Sequence, residues 1–176
     1  MKTITTAILV IALLIVAGCA KKENPAPQVD LITAAASGNL EAVQQHIKAG
    51  SDLNVKEHTR GSTPLITATV FGKKEVALVL IEAGADVNHQ NNEGSTALIT
   101  AAFFCHTEVV QALLDNGADK TIRNKAGRIA LDSVSRPFDE VKPMYDGFVA
   151  ALEPMGLVLD YEHIKKTRPR IADMLR

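Results

Sequence analysis

Leu31-Ile32-Thr33-Ala34, Leu65-Ile66-Thr67-Ala68 and Leu98-Ile99-Thr100-Ala101 are one tetrapeptide written three times, at intervals of 34 and then 33 residues. A second series keeps step with it: Ala49-Gly50-Ser51-Asp52, Gly84-Ala85-Asp86-Val87-Asn88 and Gly117-Ala118-Asp119. A period in the low thirties, with a fixed start and a fixed end to each unit, marks a helical repeat array. The middle unit shows how one repeat is built. Pro64 suits a first helical turn, where its missing N–H costs nothing, and Thr63 before it is a capping residue. A short helix follows from Leu65 to Phe71, with the small Ala68 admitting a close neighbour, and Gly72 ends it. A second helix, Lys74 to Glu82, spreads Val76, Leu78, Val79, Leu80 and Ile81 over a broad apolar face. Gly84 supplies a left-handed cap, and Ala85 to Gly94 is polar and rich in turn residues. One such unit cannot bury its own apolar faces, so neighbouring units must stack.

The residues also say which array this is. Gly61-Ser62-Thr63-Pro64-Leu65, Gly94-Ser95-Thr96-Ala97-Leu98 and the Gly-Ala-Asp-Val-Asn ending closely resemble the ankyrin repeat. The resemblance implies an all-α solenoid of helix-turn-helix repeats joined by β-hairpin loops. It divides residues 29–156 into three full repeats (29–61, 62–94, 95–127) and a divergent last one (128–156) that caps the stack. The first repeat opens on Asp30 as a cap. Its helices are expected at Leu31 to Ser37 and Leu40 to Lys48, with Leu40, Val43 and Ile47 inward. Its finger, 52–62, is one residue longer than the next. There are departures from the family pattern. Ile66 and Ile99 stand where a histidine usually ties loops together, so apolar packing must replace that tie. Cys105 stands where the register asks for the glycine found at Gly38 and Gly72. After Gly127 the pattern decays: Gly127-Arg128-Ile129-Ala130-Leu131-Asp132 still resembles a repeat start, but its partner helix is displaced behind Pro137 and interrupted by Pro143 and Gly147. Residues 157–176 read as a basic C-terminal extension, a solvated tail or short helix, with contact to acidic lipid or an acidic partner as the sharper alternative.

The first residues lie outside this pattern. Lys2 and the apolar run Ala7 to Ala17 read as a secretory signal peptide (1–18), and the run is short for a membrane span. Val16-Ala17-Gly18-Cys19 resembles a bacterial lipobox, which implies an acylated Cys19 at the head of the mature chain. Stable anchoring takes more than one acyl chain, as that class of protein carries. Ala20 is not the aspartate that commonly retains such proteins in the inner membrane, which directs the expectation to the periplasmic face of the outer membrane. Residues 19–28 form a tether, charged and proline-bearing. Its stretch Lys21 to Gln28 reaches about 30 Å at ~3.3–3.6 Å per residue.

Charge and cysteine content exclude several functions. The chain has 19 Lys+Arg and 20 Asp+Glu, and loss of Lys2 with the signal peptide leaves 18 against 20, which makes no case for nucleic acid. With Cys19 committed to lipid, Cys105 has no partner for a disulfide. A buried thiol is the plain reading of Cys105, and a redox-active one the alternative. The five histidines show no i, i+4 pair for zinc, and no phosphate loop or nucleophile elbow is present. Asp86, Asn88 and Asn91 are assigned to turns rather than calcium. No catalytic residue, metal or cofactor is expected.

What remains is surface. In the family pattern the two positions before the inter-helix glycine look out from the concave face; here they are Ala36-Ser37, Val70-Phe71 and Phe103-Phe104. Three of the chain's five phenylalanines thus fall at neighbouring positions, where an exposed aromatic cluster would mark a binding site. The alternative is that these rings pack between repeats. Val70, Phe71, Phe103 and Phe104 are the expected anchors, with His58, Arg60, Gln90, Asn91 and Arg123 as a finger rim. The resulting expectation is a monomeric, non-enzymatic module that binds a protein of the cell envelope. Small bacterial ankyrin proteins also include inhibitors of phospholipase-type toxins, which makes an immunity protein the second expectation. A redox accessory resting on Cys105 is the third.

Overall fold

The computed structural model describes residues 28–176; Cys19, the signal peptide and nearly all of the tether lie outside the described residues. Nine α-helices and no strand are found among the described residues. Three helix pairs follow the repeats: α1 (Leu31–Ser37) with α2 (Leu40–Ala49), α3 (Pro64–Val70) with α4 (Lys74–Glu82), and α5 (Ala97–Phe103) with α6 (Thr107–Asp115). Each inner helix starts on a side chain that satisfies an orphan N–H: Asp30 accepts from Thr33 N at 2.9 Å, Thr63 Oγ1 from Ile66 N at 3.4 Å and Thr96 Oγ1 from Ile99 N at 3.2 Å. Helices this short are marginal alone, and tertiary burial is what holds them. Leu65 and Ala68 are completely buried, Leu98 is 1% exposed and Ala101 is completely buried. Ile66 and Ile99 are buried too, so packing does replace the histidine tie.

The polar segments between pairs make fingers without assigned strands, each closed by one backbone bond across its base (Glu57 N to Ser62 O at 3.0 Å, Asn91 N to Ser95 O at 3.1 Å, Asn124 N to Arg128 O at 2.9 Å) and braced by side chains. Asn91 Oδ1 accepts from Glu93 N and Ser95 N, and Asn124 Oδ1 accepts from Ala126 N and Arg128 N in the same way. Glu57 replaces the asparagine in the first finger, accepting from Thr59 N and Arg60 N. Neighbouring fingers are joined by Asn92 N to Arg60 O at 2.7 Å and Lys125 N to Glu93 O at 2.9 Å. That approach requires glycine: a Cβ on Gly94 would lie 2.9 Å from Lys125 N, and its φ is +73°. Behind the fingers, Asn54 Oδ1 accepts from Asp86 N and Asn88 Oδ1 from Asp119 N, both at 2.8 Å. The asparagines and aspartates of the second series thus stitch one repeat to the next.

The last unit departs from the expected bounds. Its inner helix is a single turn, α7 (Asp132–Ser135), packed on α5. The helix that completes the pair is α9 (Tyr161–Leu175), which packs on α7 and on α6 as α6 does on α4. The segment read as a basic extension is therefore a docked outer helix. Its inward stripe is Ile164, Arg168, Ile171 and Leu175, and the arginine in that stripe disguises it. Between α7 and α9 an inserted helix, α8 (Phe138–Leu152), leads through a 3-10 turn at Glu153–Met155.

Candidate functional site

Helix α8 carries Phe138, Val141, Tyr145, Phe148 and Leu152 at i, i+3, i+7, i+10 and i+14, an apolar stripe on one face. The insertion lays this stripe against the end of α5. Phe103 stacks on Tyr145 with ring centroids 4.4 Å apart and meets Phe148 at 5.3 Å. Phe104 lies edge-on to Phe148 at 5.4 Å. It is 3% exposed, in a small core with Leu152 and Leu157. The expectation that Phe104 looks into solvent is thus corrected: an element that sequence periodicity did not reveal covers it. Phe71 and Val70 are half-buried against the same small core, and Phe103 is half-buried.

Polar contacts fix α8 in place. The Tyr145 hydroxyl donates to Phe103 O at 2.6 Å and accepts from Arg168 Nη1 at 3.0 Å, while Arg168 Nη2 donates to Arg136 O at 2.6 Å. Arg168 is 3% exposed and makes no ion pair among the described residues. Cys105 sits beside it, its thiol 3.6 Å from Ile164 O. Burial pushes the Cys105 thiol up to about 12, against the opposing pull of Arg168. Burial likewise pushes the Tyr145 phenol up to about 12. Both groups stay protonated near neutral pH. With φ of 60°, Cys105 is the one non-glycine residue in the left-handed region among the described residues, as its place in the glycine register implies.

Between α8 and the fingers lies a trough of about 450 Å³. One wall is apolar: Phe103 below, and Val141, Met144 and Phe148 from α8. The facing wall comes from the fingers and carries Arg60, Asn91, Glu93, Ser95 and Asn124. Arg128 closes the gap, its Nη1 reaching Met144 Sδ at 3.9 Å. Arg136, at the far end, is paired with Glu140 at 3.2 Å.

The expected site residues separate into groups. Val70, Phe103, Phe104, Arg60 and Asn91 line the trough. Gln90 and Arg123 are bracing residues: Gln90 Nε2 donates to Gly94 O at 2.7 Å and to Arg123 O at 3.1 Å, and Arg123 Nη1 donates to Gly127 O at 2.7 Å. His58 is exposed and lines a separate hollow beside Asp30 and His46 at the start of the stack. Arg128, Met144, Tyr145 and Phe148 are the residues that sequence reasoning missed. The apolar spacing of α8 is the signal that could have found them, but Pro143 and Gly147 inside the helix mask it. Among the described residues there is no cluster of three metal-ligating side chains, and no helix is long and apolar enough to cross a membrane.

Stacked helix pairs, a concave groove and projecting fingers define a repeat-built recognition scaffold. The family description "Ankyrin repeats (3 copies)" matches residues 31–124, more than half of the chain, and the protein belongs to the ankyrin-repeat family. Ankyrin repeats are generally protein–protein interaction modules and typically non-enzymatic. No curated protein matches the chain.

Proposed function

We propose that this chain is a non-enzymatic protein-binding module, tethered through an acylated Cys19 to the bacterial cell envelope at the periplasmic face of the outer membrane. The observation that carries the binding reading is the walled trough on the concave side, an apolar wall facing a polar one. Recognition pockets generally combine an apolar lining with a few placed polar groups. The lipobox-like Val16-Ala17-Gly18-Cys19 supports the anchor. Burial and a raised pKa withhold the Cys105 thiolate, which weighs against the redox accessory, because the thiolate is the reactive form.

Two measurements on the full chain in cells test the reading. In a bacterial host, wild type should incorporate labelled palmitate and fractionate with membranes, and Cys19→Ser should lose both. Equal membrane fractions without label in either would refute the anchor. In-cell crosslinking from a photoreactive residue at position 144, facing the trough, should trap a specific protein. Its absence under conditions that crosslink a control site would refute the binding reading. The identity of the trapped protein also decides the immunity alternative, which requires a lipase-like toxin.

A further inference from the structure

The Leu-Ile-Thr-Ala tetrapeptide is its own control, because the same four residues stand in three surroundings. Its leucine and alanine are buried in every copy. Ile66, Thr67, Ile99 and Thr100 are buried as well, but in the first copy Ile32 is only half-buried and Thr33 is exposed. The residues are unchanged, so the neighbour is what differs. Helix α3 packs between α1 and α5, whereas α1 has an inner helix on one side alone among the described residues. Terminal repeats of a stack need a polar outer face. This stack keeps, at its first end, an isoleucine of the kind it buries elsewhere.

The first finger extends that surface. Val55 is exposed, one of three large apolar side chains that are so among the described residues. Ile32 and Val55 line the same hollow, of about 580 Å³. Around them stand the carboxylates of Asp30, Asp52 and Glu57 and two bases, Lys56 and His58. None of the five makes an ion pair among the described residues. Each carboxylate accepts a nearby backbone N–H, which fixes its position and leaves its charge. The remaining titratable group, His46, is committed to Val29 O at 2.8 Å and to Ser51 Oγ at 3.0 Å.

This charge pattern selects among occupants. The tether enters the stack at this end, but three carboxylates against a lysine and a histidine are repelled by anionic lipid. A second copy of the same face suits both parts of the surface. Its apolar centre covers Ile32 and Val55, and each copy brings acids and bases for reciprocal pairing, as a two-fold contact requires.

We infer that the first-repeat end is a self-association face on which a second copy of this chain docks head to head. Ile32 and Val55 of both copies form the apolar centre, and Lys56 and His58 of each meet the other's carboxylates. The pair closes on itself rather than growing into a fibre. It departs from the monomer expected from the sequence, and it does not depend on what the trough binds.

The test is photocrosslinking of the full chain in a bacterial host, from a photoreactive residue in place of Val55. The control site is Val158 in the last unit, which is also exposed. Position 55 should give a product of twice the chain's mass, with both crosslinked peptides from residues 29–60, and position 158 should not. Thr33→Glu in the position-55 background should lower that yield at least about tenfold, because it sets another acid against the facing carboxylates. The helix should tolerate the change, since an acid in the first turn, three residues after the cap Asp30, suits it. Should that variant fail to fold, Lys56→Glu on the exposed finger carries the same expectation. An undiminished yield in the folded variant would overturn the inference, as would equal yields from positions 55 and 158. Links from position 55 to the last unit would make the contact head to tail, and links to residues 20–27 of the same chain would seat the tether in the hollow. Either result overturns the inference, as does a link to lipid or to another protein alone, or no product at all.

Discussion

Removing one oxygen atom, by Tyr145→Phe, tests the lock on α8 most directly. The hydroxyl donates to Phe103 O at 2.6 Å and accepts from the buried Arg168 at 3.0 Å. Phe103 O has no backbone N–H donor among the described residues and otherwise meets only the weak Cys105 thiol donor at 3.9 Å, so the variant leaves a largely buried carbonyl with that poor donor alone and a buried guanidinium N–H without its partner. Ring stacking on Phe103 and Phe138 stays, and the cavity left behind is one atom. The transfer term is thus small and the hydrogen bonds decide the magnitude. A neutral bond contributes ~0.5–1.5 kcal/mol and one to a charged group ~1.5–3 kcal/mol, so the expected loss is about 2–4 kcal/mol. For a domain of this size each kcal/mol lowers Tm by roughly 2–4 °C. Urea unfolding followed by circular dichroism at 222 nm measures it. A loss below about 0.5 kcal/mol would refute the reasoning. It would mean that aromatic packing alone holds α8, or that water replaces the hydroxyl at no cost. Arg168→Met in the same background completes a cycle, and a coupling near zero between the two sites would equally deny the shared network.

Other expectations follow from burial. Leu98→Ala, at a position 1% exposed, should cost about 2–5 kcal/mol in the same urea assay. Phe104→Ala should cost about 3–5 kcal/mol, and a variant of native stability would return Phe104 to the open surface. Burial holds His106 below its ordinary value, and its Nε2 is buried without a hydrogen-bond partner among the described residues. Between the folded and unfolded values the unfolded chain binds more protons, so stability rises with pH there. His106 therefore contributes fully above the unfolded value near 6.5 and loses its contribution as pH falls below it. The urea midpoint should drop from pH 7.5 to 5.0, and His106→Leu should flatten that drop; parallel curves would exclude His106 as the cause. Cys105 should resist N-ethylmaleimide at pH 8 in the native chain and react within minutes in urea, whereas fast native labelling would contradict its burial.

The array was legible because each unit repeats a physical solution. The Leu-Ile-Thr-Ala helices, the threonine caps and the Gly-Ala-Asp turns recur in register, and three copies make coincidence an untenable account. Half of the site was legible for the same reason. Val70 and Phe103 occupy family positions expected to face the groove, Arg60 and Asn91 occupy finger positions, and all four line the trough. The other half was hidden in two ways. Helix α8 contains Pro143 and Gly147, both unfavourable in a helix interior, yet its aromatic stripe packs well enough to override propensity. Helix α9 places Arg168 at a core position between Ile164 and Ile171. A cation there, flanked by Lys165, Lys166 and Arg170, makes a buried helix read as a solvated tail. Gln90 and Arg123 carry bonds of another kind. A polar side chain at a finger tip looks available in sequence, and only its bonds, Gln90 to the neighbouring finger and Arg123 within its own, reveal a brace.

The irregularities of the chain are not scattered. The left-handed Cys105, the buried Arg168, the proline-bearing α8 and the one-turn α7 all meet at the junction of the third and fourth units. Each breaks a local rule: a side chain at positive φ, a cation in a core stripe, a proline inside a helix, a helix too short to hold itself. Sequences that specify a fold tend to agree across levels, and conflicts collect at functional or strained places. Here the conflicts share one geometric product. Arg168 fixes Tyr145, Tyr145 fixes Phe103 and α8, and α8 supplies the wall that turns an open concave face into a trough. The regular repeats provide a rigid frame, and the irregular unit provides the feature that distinguishes this frame from a plain stack of repeats.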